Sequence, residues 1–590
     1  MTTTFELPDP QARRMRGRLA FLYGEARADE VWVRLAALLA ENKPRLQQGA
    51  HAARELTERD VILITYGDQV QEAGIPPLQT LHEFLASHLH EAVSGVHLLP
   101  FFPYSSDDGF AVIDYLAVDP LLGSWDDIER FRADFRLMFD AVINHISSHS
   151  AWFAGFKQGD PIHAEDFIIV EPGTDLSEVV RPRTLPLLTP VETANGEKLV
   201  WTTFSDDQID LNYANPDVLL RVLRVLLEYV AHGASLIRLD AIAYLWKEIG
   251  TPCIHLPQTH AVVKLMRDVL DAVAPWVLII TETNVPHEEN ISYFGDGTDE
   301  AQLVYQFSLP PLVLHTFAVG DVHVLNQWAS TLEPFSATTT YFNFTASHDG
   351  IGVRPAQGFL NAAEIEALCE RARAHGGFVS YKVNSDGSQS PYELNVTYFD
   401  ALSDPHSAEP LALQAQRFLS SQAIMLALRG VPGIYFHSLV GSRNDRAGAA
   451  ATGHNRSINR EKLSRKVLEA ALVEPESLRS LVMSRYRDLI QQRRSQRAFH
   501  PNGGQQILTV HPGVFAVLRT APEGREAIVA LHSVVNETVT IELDLNALGL
   551  AVAPLSDLCG AGEFSLAESG RVMLALAPYQ VCWLRGVNAR

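Results

Sequence analysis

The chain has 590 residues, enough for a large core and for more than one domain, and at 47% hydrophobic and 20% charged it is globular in composition. A formal net charge of -23 argues against nucleic acid or an anionic membrane as a general partner, although a local group of arginines can still hold a small anion. Four cysteines (Cys253, Cys369, Cys559 and Cys582), none in a Cys-x-x-Cys pair, supply neither a disulfide framework nor a zinc or thiol-redox motif.

The amino terminus, Met1-Thr2-Thr3-Thr4-Phe5-Glu6, lacks a basic segment followed by an apolar run, and no apolar stretch reaches spanning length, so a soluble, cytoplasmic protein is expected. Residues 1–58 carry helical periodicity, as in Val31-Trp32-Val33-Arg34-Leu35, and are expected to form a helical extension packed on the body of the chain. Strands are expected at Val61–Tyr66 and Gly95–Pro100, the second opening into the loop Tyr104–Phe110. A third is expected over Arg136–His145, after a helix beginning at Trp125. The alternation then breaks over 147–210, which is rich in Pro, Thr and Asp and reads as an irregular insertion. It resumes with a helix at Pro216–His232, a strand at Leu236–Asp240, a helix at Gln258–Ala274, and strands at Val277–Glu282, Leu303–Phe307 and Thr338–Ala346. A second loop-rich insertion spans 355–404. A helix at Gln414–Leu428 and a strand at Gly433–Phe436 follow.

About eight strands alternating with helices predict a (β/α)8 barrel over 59–501. From 502 to 590 the pattern changes to short strands (Gln506–Val510, Val514–Thr520, Glu526–His532, Thr538–Leu543, Arg571–Ala575), which predicts a small all-β C-terminal domain. The fold class is therefore α/β: a TIM barrel with loop insertions, a helical N-terminal extension and a C-terminal β domain.

Within that frame, Asp240, Glu282 and Asp349 all fall at the C-terminal ends of predicted strands, the face where barrels carry their active sites. Arg238 and Asp240 alternate onto one side of their strand, and an arginine beside an aspartate favours the ionised form. Taken alone, Arg-x-Asp more often marks a structural ion pair. Two carboxyl groups, one ionised and one protonated, are the means of breaking a glycosidic bond. The apolar run before Glu282 favours its protonated form, and His145 and His348 read as hydrogen-bond donors to sugar hydroxyls. No spacing matches a dinucleotide loop or an EF-hand, so no metal is expected.

Asn144-His145, Arg238-Leu239-Asp240-Ala241, Glu282 and His348-Asp349 together resemble, in order, the signature regions of the α-amylase superfamily. Trp246-Lys247-Glu248, Ser308-Leu309-Pro310-Pro311-Leu312, Ser347–Val353 and Ser457-Ile458-Asn459-Arg460 narrow the resemblance to the sucrose phosphorylase subfamily, from about Val61 onward. That resemblance implies Asp240 as nucleophile, Glu282 as acid/base and Asp349 as the residue gripping sugar hydroxyls at the transition state. It implies a glucose subsite of Asp107, Phe110, His145, Arg238, His348 and Arg456, with Phe204 and Gln208 beside the glucosyl-enzyme. Arg181 and Tyr392 match positions on two loops that meet phosphate or the acceptor. The chemistry implied is phosphorolysis without a cofactor, on small molecules, and the resemblance is compatible with a homodimer.

Departures from the subfamily pattern point to the acceptor. The second acceptor loop reads Ser390-Pro391-Tyr392-Glu393 where sucrose phosphorylases carry Asp-Leu-Tyr-Gln, and the first begins Arg181-Pro182-Arg183. With the helical extension, these features resemble the glucosylglycerate phosphorylases, which interconvert glucosylglycerate and phosphate with glucose 1-phosphate and D-glycerate. Losing an aspartate at 390 and gaining cations at Arg181, Arg183 and Lys382 suits a carboxylate acceptor. Sucrose phosphorolysis, an α-glucosidase or transglucosidase reaction, and a catalytically dead scaffold are the alternatives. The last is disfavoured because all three carboxylates are present.

Overall fold

Eight short apolar segments, each too short to bury itself, close on one another as a parallel barrel. In a computed structural model, residues 8–47, 54–384, 387–551, 555–560, 563–564 and 570–587 are described. The readings made of Met1–Glu6 and of the rest of 1–7, 48–53 and 588–590 fall outside them. The barrel strands are β1 (Ile62–Thr65), β2 (Gly95–Leu98), β3 (Arg136–Ala141), β4 (Ala234–Leu239), β5 (Leu278–Thr281), β6 (Leu303–Tyr305), β7 (Thr340–Asn343) and β8 (Val431–Tyr435). Each pairs in parallel with its neighbours in sequence, and β8 closes on β1 with Gly433 opposite Ile62. Apart from the first residue of β3, which is half-buried, these strands are buried throughout, as expected of parallel strands covered on both faces.

Long helices Pro77–Leu89, Pro216–Ala231, Pro257–Val273, Leu411–Ala427 and Leu478–Arg494 cover the strands. The crossover from β5 to β6 departs from the expected alternation: it holds only the five-residue helix His287–Ile291 and a single 3-10 turn, Ser292–Phe294. The N-terminal helices α1 (Asp9–Tyr23) and α2 (Glu25–Leu46) turn on Gly24 and lie against the crossover helices of β3 and β4. Arg18 Nε donates to Asp268 at 2.6 Å there, and Tyr23 donates to the Tyr213 carbonyl at 3.1 Å.

Both insertions are more ordered than composition suggests. The first contains the helix Ala151–Gln158 and a three-stranded sheet whose hairpin, Leu188–Thr193 with Gly196–Trp201, turns at Ala194-Asn195, just before Gly196. A two-stranded ribbon, His145–Ser147 with Gln208–Asp210, ends it. The second contains the helix Ala362–Ala374 and the sheet Ile351–Gly352, Gln389–Asn395, Phe378–Val383. The C-terminal region is all-β: Gly504–His511 is the edge strand of one sheet, followed in order by Val514–Thr520, Glu526–Ser533 and Val581–Val587, while Val539–Asp544 and Arg571–Leu576 form another. Alternate residues of that second pair face a separate apolar core. Among the described residues no helix is long and apolar enough to cross a membrane.

Arg493 staples the barrel closure. Fully buried, it donates to the carbonyls of Leu426, Gly430 and Glu58, linking the lead-in to β8 with that to β1. Arg493→Met would leave those carbonyls without a donor, at about 1–3 kcal/mol each. Its denaturant midpoint should fall accordingly. An unchanged midpoint would show that Arg493 does not hold the closure.

Candidate active site

The site begins as a polar chain crossing four strands at the C-terminal mouth. His97 on β2 meets Asp140 on β3 at 2.6 Å, and both are fully buried. Asp140 lies in register with Arg238 on β4 and pairs with its Nη1. The same Nη1 donates to Asp240 Oδ1 at 2.8 Å, and Nη2 lies 4.0 Å from Glu282 Oε1. Leu239 is opposite Thr281, so Asp240 and Glu282 are the next register neighbours on β4 and β5. Their N–H groups continue the ladder, bonding to the carbonyls of Ala141 and Leu239. Adjacent strands lie about 4.8 Å apart, which suits the roughly 5–5.5 Å carboxyl separation of a retaining glycosidase better than the wider inverting one.

The electrostatics differ from the expectation in one respect. Burial, which raises a carboxyl pKa, is the largest influence on both Asp240 and Glu282. Arg238 opposes it at each, yet both stay raised, Asp240 well above its ordinary value. Arg238 does not hold Asp240 low because its charge is shared: burial would raise Asp140 too, but Arg238 and His97 bring Asp140 down to about 2. Burial thus works toward keeping a proton on the Asp240–Glu282 pair. It raises Asp240 the more of the two, but the guanidinium is closer to Asp240 than to Glu282, a geometry that favours the anion on Asp240.

Asp349 sits six residues beyond the end of β7, in a loop rather than at the strand end. Arg456, in the turn Asn455–Asn459, reaches it with Nη1 at 2.6 Å and grips Glu393 with Nε and Nη2. Burial would raise Asp349, but Arg456, His348 and Arg460 outweigh it and hold this carboxyl well below the usual range. Asp107 lies 3.9 Å from Arg456 and 3.8 Å from Arg460. Asp107 and Asp108 both take left-handed backbone (φ 52° and 47°). Gly109 follows at φ 107°, where a Cβ would meet the Pro100 carbonyl at 2.7 Å. Arg460, 2.5 Å from Asp108 and bonded to the His348 carbonyl, ties this strained loop to that of Asp349.

Phe110 stacks on His348 with centroids 4.7 Å apart and 4° between planes. Burial lowers His348 to about 3, so the ring is neutral, and its Nδ1 is buried without a partner among the described residues. His145 lines the cavity but differs from its expected place in the fold. It lies on the ribbon rather than on β3, and its Nε2 meets the Phe110 carbonyl at 2.9 Å, the same oxygen that Gln208 Nε2 reaches at 3.0 Å. Phe204 packs between His145 and Tyr244.

The cavity these residues line continues past Glu282 to Arg183, Asn284, Arg354 and Tyr392. Arg183 lies over the Tyr392 ring at 5.8 Å. Arg181 is not brought to the cavity; it donates to the Leu185 carbonyl of its own loop. Asp140, Glu393, Tyr244, Asn284 and Arg354 are site residues that motif reading did not single out. Asp140 carried a signal, since a carboxylate inside an apolar buried strand requires a partner. Among the described residues no group of three or more His, Cys, Asp or Glu side chains is arranged to hold a metal ion.

The α-amylase catalytic-domain family matches residues 89–350. A glucosylglycerate phosphorylase of Spirochaeta thermophila is 54% identical over 525 residues, covering 88% of this chain and 89% of that one. The chain belongs to the glucosylglycerate phosphorylase family. A second such phosphorylase, from Allomeiothermus silvanus, is 54% identical over 86% of this chain and 90% of its own. The crystal structure of sucrose 6F-phosphate phosphorylase from Thermoanaerobacter thermosaccharolyticum superposes with TM-score 0.70 at 25% identity, covering 82% of this chain and 95% of that one.

A retained proton is measurable without substrate. Infrared difference spectra across a pH titration should show a carboxyl that stays protonated above the ordinary range near pH 4 and ionises as pH rises. Asp240→Asn and Glu282→Gln should each alter that step, because each removes one of the two carboxyls that burial raises. A free protein whose carboxyls all titrate in the ordinary range would contradict the sharing.

Proposed function

We propose that the chain catalyses reversible phosphorolysis of 2-O-α-glucosylglycerate, giving α-glucose 1-phosphate and D-glycerate by double displacement. The observation that carries this is the register pairing of Asp240 and Glu282 under one shared arginine. Asp240 attacks the anomeric carbon while Glu282 gives its proton to the departing glycerate oxygen, leaving an ester between glucose and Asp240. A phosphate oxygen then attacks the same carbon, its proton passes to Glu282, and the Asp240 carboxylate is released. Two inversions return the α configuration.

Asp349 and Arg456, held by Glu393, would grip the sugar hydroxyls, with Asp107 beside them. Phe110 and His348 would form the wall. His145 and Gln208, by fixing the Phe110 carbonyl, would keep that wall in place. The acceptor reading is supported by the family to which the chain belongs and by the cations past Glu282, which suit a carboxylate. The proposal includes a cytoplasmic location.

Two variants test the assigned roles. Asp240→Asn keeps the shape but removes the nucleophile, so activity in both directions should fall by about 10⁴-fold or more; retention of a few percent in a clean preparation would sink the role. Glu282→Gln should lose reaction with glucosylglycerate yet retain transfer from α-glucosyl fluoride, whose leaving group needs no proton, and azide should speed that transfer. Equal damage to both donors, with no azide effect, would give Glu282 another role.

A further inference from the structure

The cations of the cavity fall into two groups. On the glucose side, Arg238, Arg456 and Arg460 each have a carboxylate within 2.8 Å. On the acceptor side the charge is left largely uncompensated. Arg354, five residues past Asp349, opens the 3-10 turn Arg354–Ala356, and its side chain is 18% exposed. Its nearest carboxylate among the described residues is Glu289, at 3.7 Å, too far for a hydrogen bond. Glu289 is itself 41% exposed and also approaches His255 at 3.2 Å.

The turn that carries Arg354 is fixed to the second acceptor loop. The Val353 N–H donates to the Tyr392 carbonyl at 3.1 Å, and Ile351 and Gly352 pair with Leu394 and Glu393. Tyr244 gathers the same groups: burial and Tyr392 raise its pKa, while Arg354 and Arg183 lower it and Glu282 raises it. Lys382, lowered by burial and by Arg354, lies opposite Ser390 in the sheet behind. Arg183 and Arg354 thus face the space next to Glu282, where the leaving oxygen must stand, and Arg181 does not.

We propose that Arg354 is the specificity-determining residue that receives the acceptor carboxylate, from a fixed turn, with Arg183 as the second cation. This rests on the reading of glycerate as acceptor. A guanidinium offers two parallel donors to a carboxylate, which an uncharged triol or a ketose cannot match, so the arrangement selects an α-hydroxy acid over glycerol or fructose.

The test uses glucose 1-phosphate as donor with D-glycerate, glycerol and fructose as acceptors, on the unmodified protein and on Arg354→Gln, Arg354→Lys and Glu289→Gln. In Arg354→Gln the preference for glycerate over glycerol should fall roughly ten- to a hundred-fold, mainly through the KM for glycerate. Arg354→Lys, which keeps the charge but loses the fork, should fall between the two. Glu289→Gln removes the competing carboxylate and should lower the KM for glycerate about two- to five-fold. An unmodified protein that uses fructose as readily as glycerate defeats the acceptor reading itself. One that selects glycerate, and whose selectivity survives Arg354→Gln, overturns the Arg354 assignment and leaves that reading standing. Should Arg354→Gln fail to fold, an unchanged KM in Glu289→Gln overturns the assignment instead.

Discussion

One guanidinium, that of Arg238, is asked to serve three carboxyl groups in the largely buried mouth of the barrel. Asp140 binds it in register from the neighbouring strand, Asp240 binds the same nitrogen from two residues further on, and Glu282 stands at 4.0 Å. Desolvation makes each uncompensated charge costly, and an arginine cannot neutralise three anions. A proton kept on the Asp240–Glu282 pair relieves the unmatched charge, and that is the direction in which burial drives both groups. Phosphorolysis needs that state: one carboxylate to attack and one carboxylic acid to donate. Asp140, which touches no substrate in this mechanism, sets it by drawing off part of the arginine's charge, while His97 fixes Asp140 from behind.

The barrel supplies the register and the loops supply the rest. Parallel pairing of β3, β4 and β5 fixes Asp140, Arg238, Asp240 and Glu282 to within the tolerance of backbone hydrogen bonds. The groups proposed to grip glucose come instead from segments held together by charge: Asp349 to Arg456, Arg456 to Glu393, and Arg460 to Asp108. These pairs also hold backbone strain. Asp107 and Asp108 in left-handed conformation, and Ala241 at φ 49° directly after Asp240, each cost about 1–3 kcal/mol that the surroundings must offset.

Much of this was legible in the sequence, for a physical reason. A short apolar run can be read locally, and that signal located β1 to β8; the charged residues at or just past the ends of two of them located Arg238, Asp240 and Glu282. What escaped depended on contacts between distant segments. His145 continues β3 in the sequence, but its strand partner is Asp210, so it left the barrel. The hairpin Leu188–Thr193 with Gly196–Trp201 lay in a stretch whose Pro and Thr content suggested irregular chain, although Asn195, just before Gly196, marked its turn. The strand Val581–Val587 was missed although it lies between two others in the C-terminal sheet. Arg181 and Arg183 are alike as residues; only the fold puts Arg183 over Tyr392 and turns Arg181 back on its own loop. Arg354 had no local signal, since its significance lies in the lack of a close partner.

The central claim is that two register-paired carboxyls perform two successive inversions at one carbon. Nuclear magnetic resonance of the glucose 1-phosphate first formed from 2-O-α-glucosylglycerate and phosphate, recorded before the product can equilibrate, tests it most directly. Double displacement predicts α-glucose 1-phosphate as the initial product. Initial formation of the β-anomer would mean a single displacement, with no ester at Asp240, and would contradict the claim.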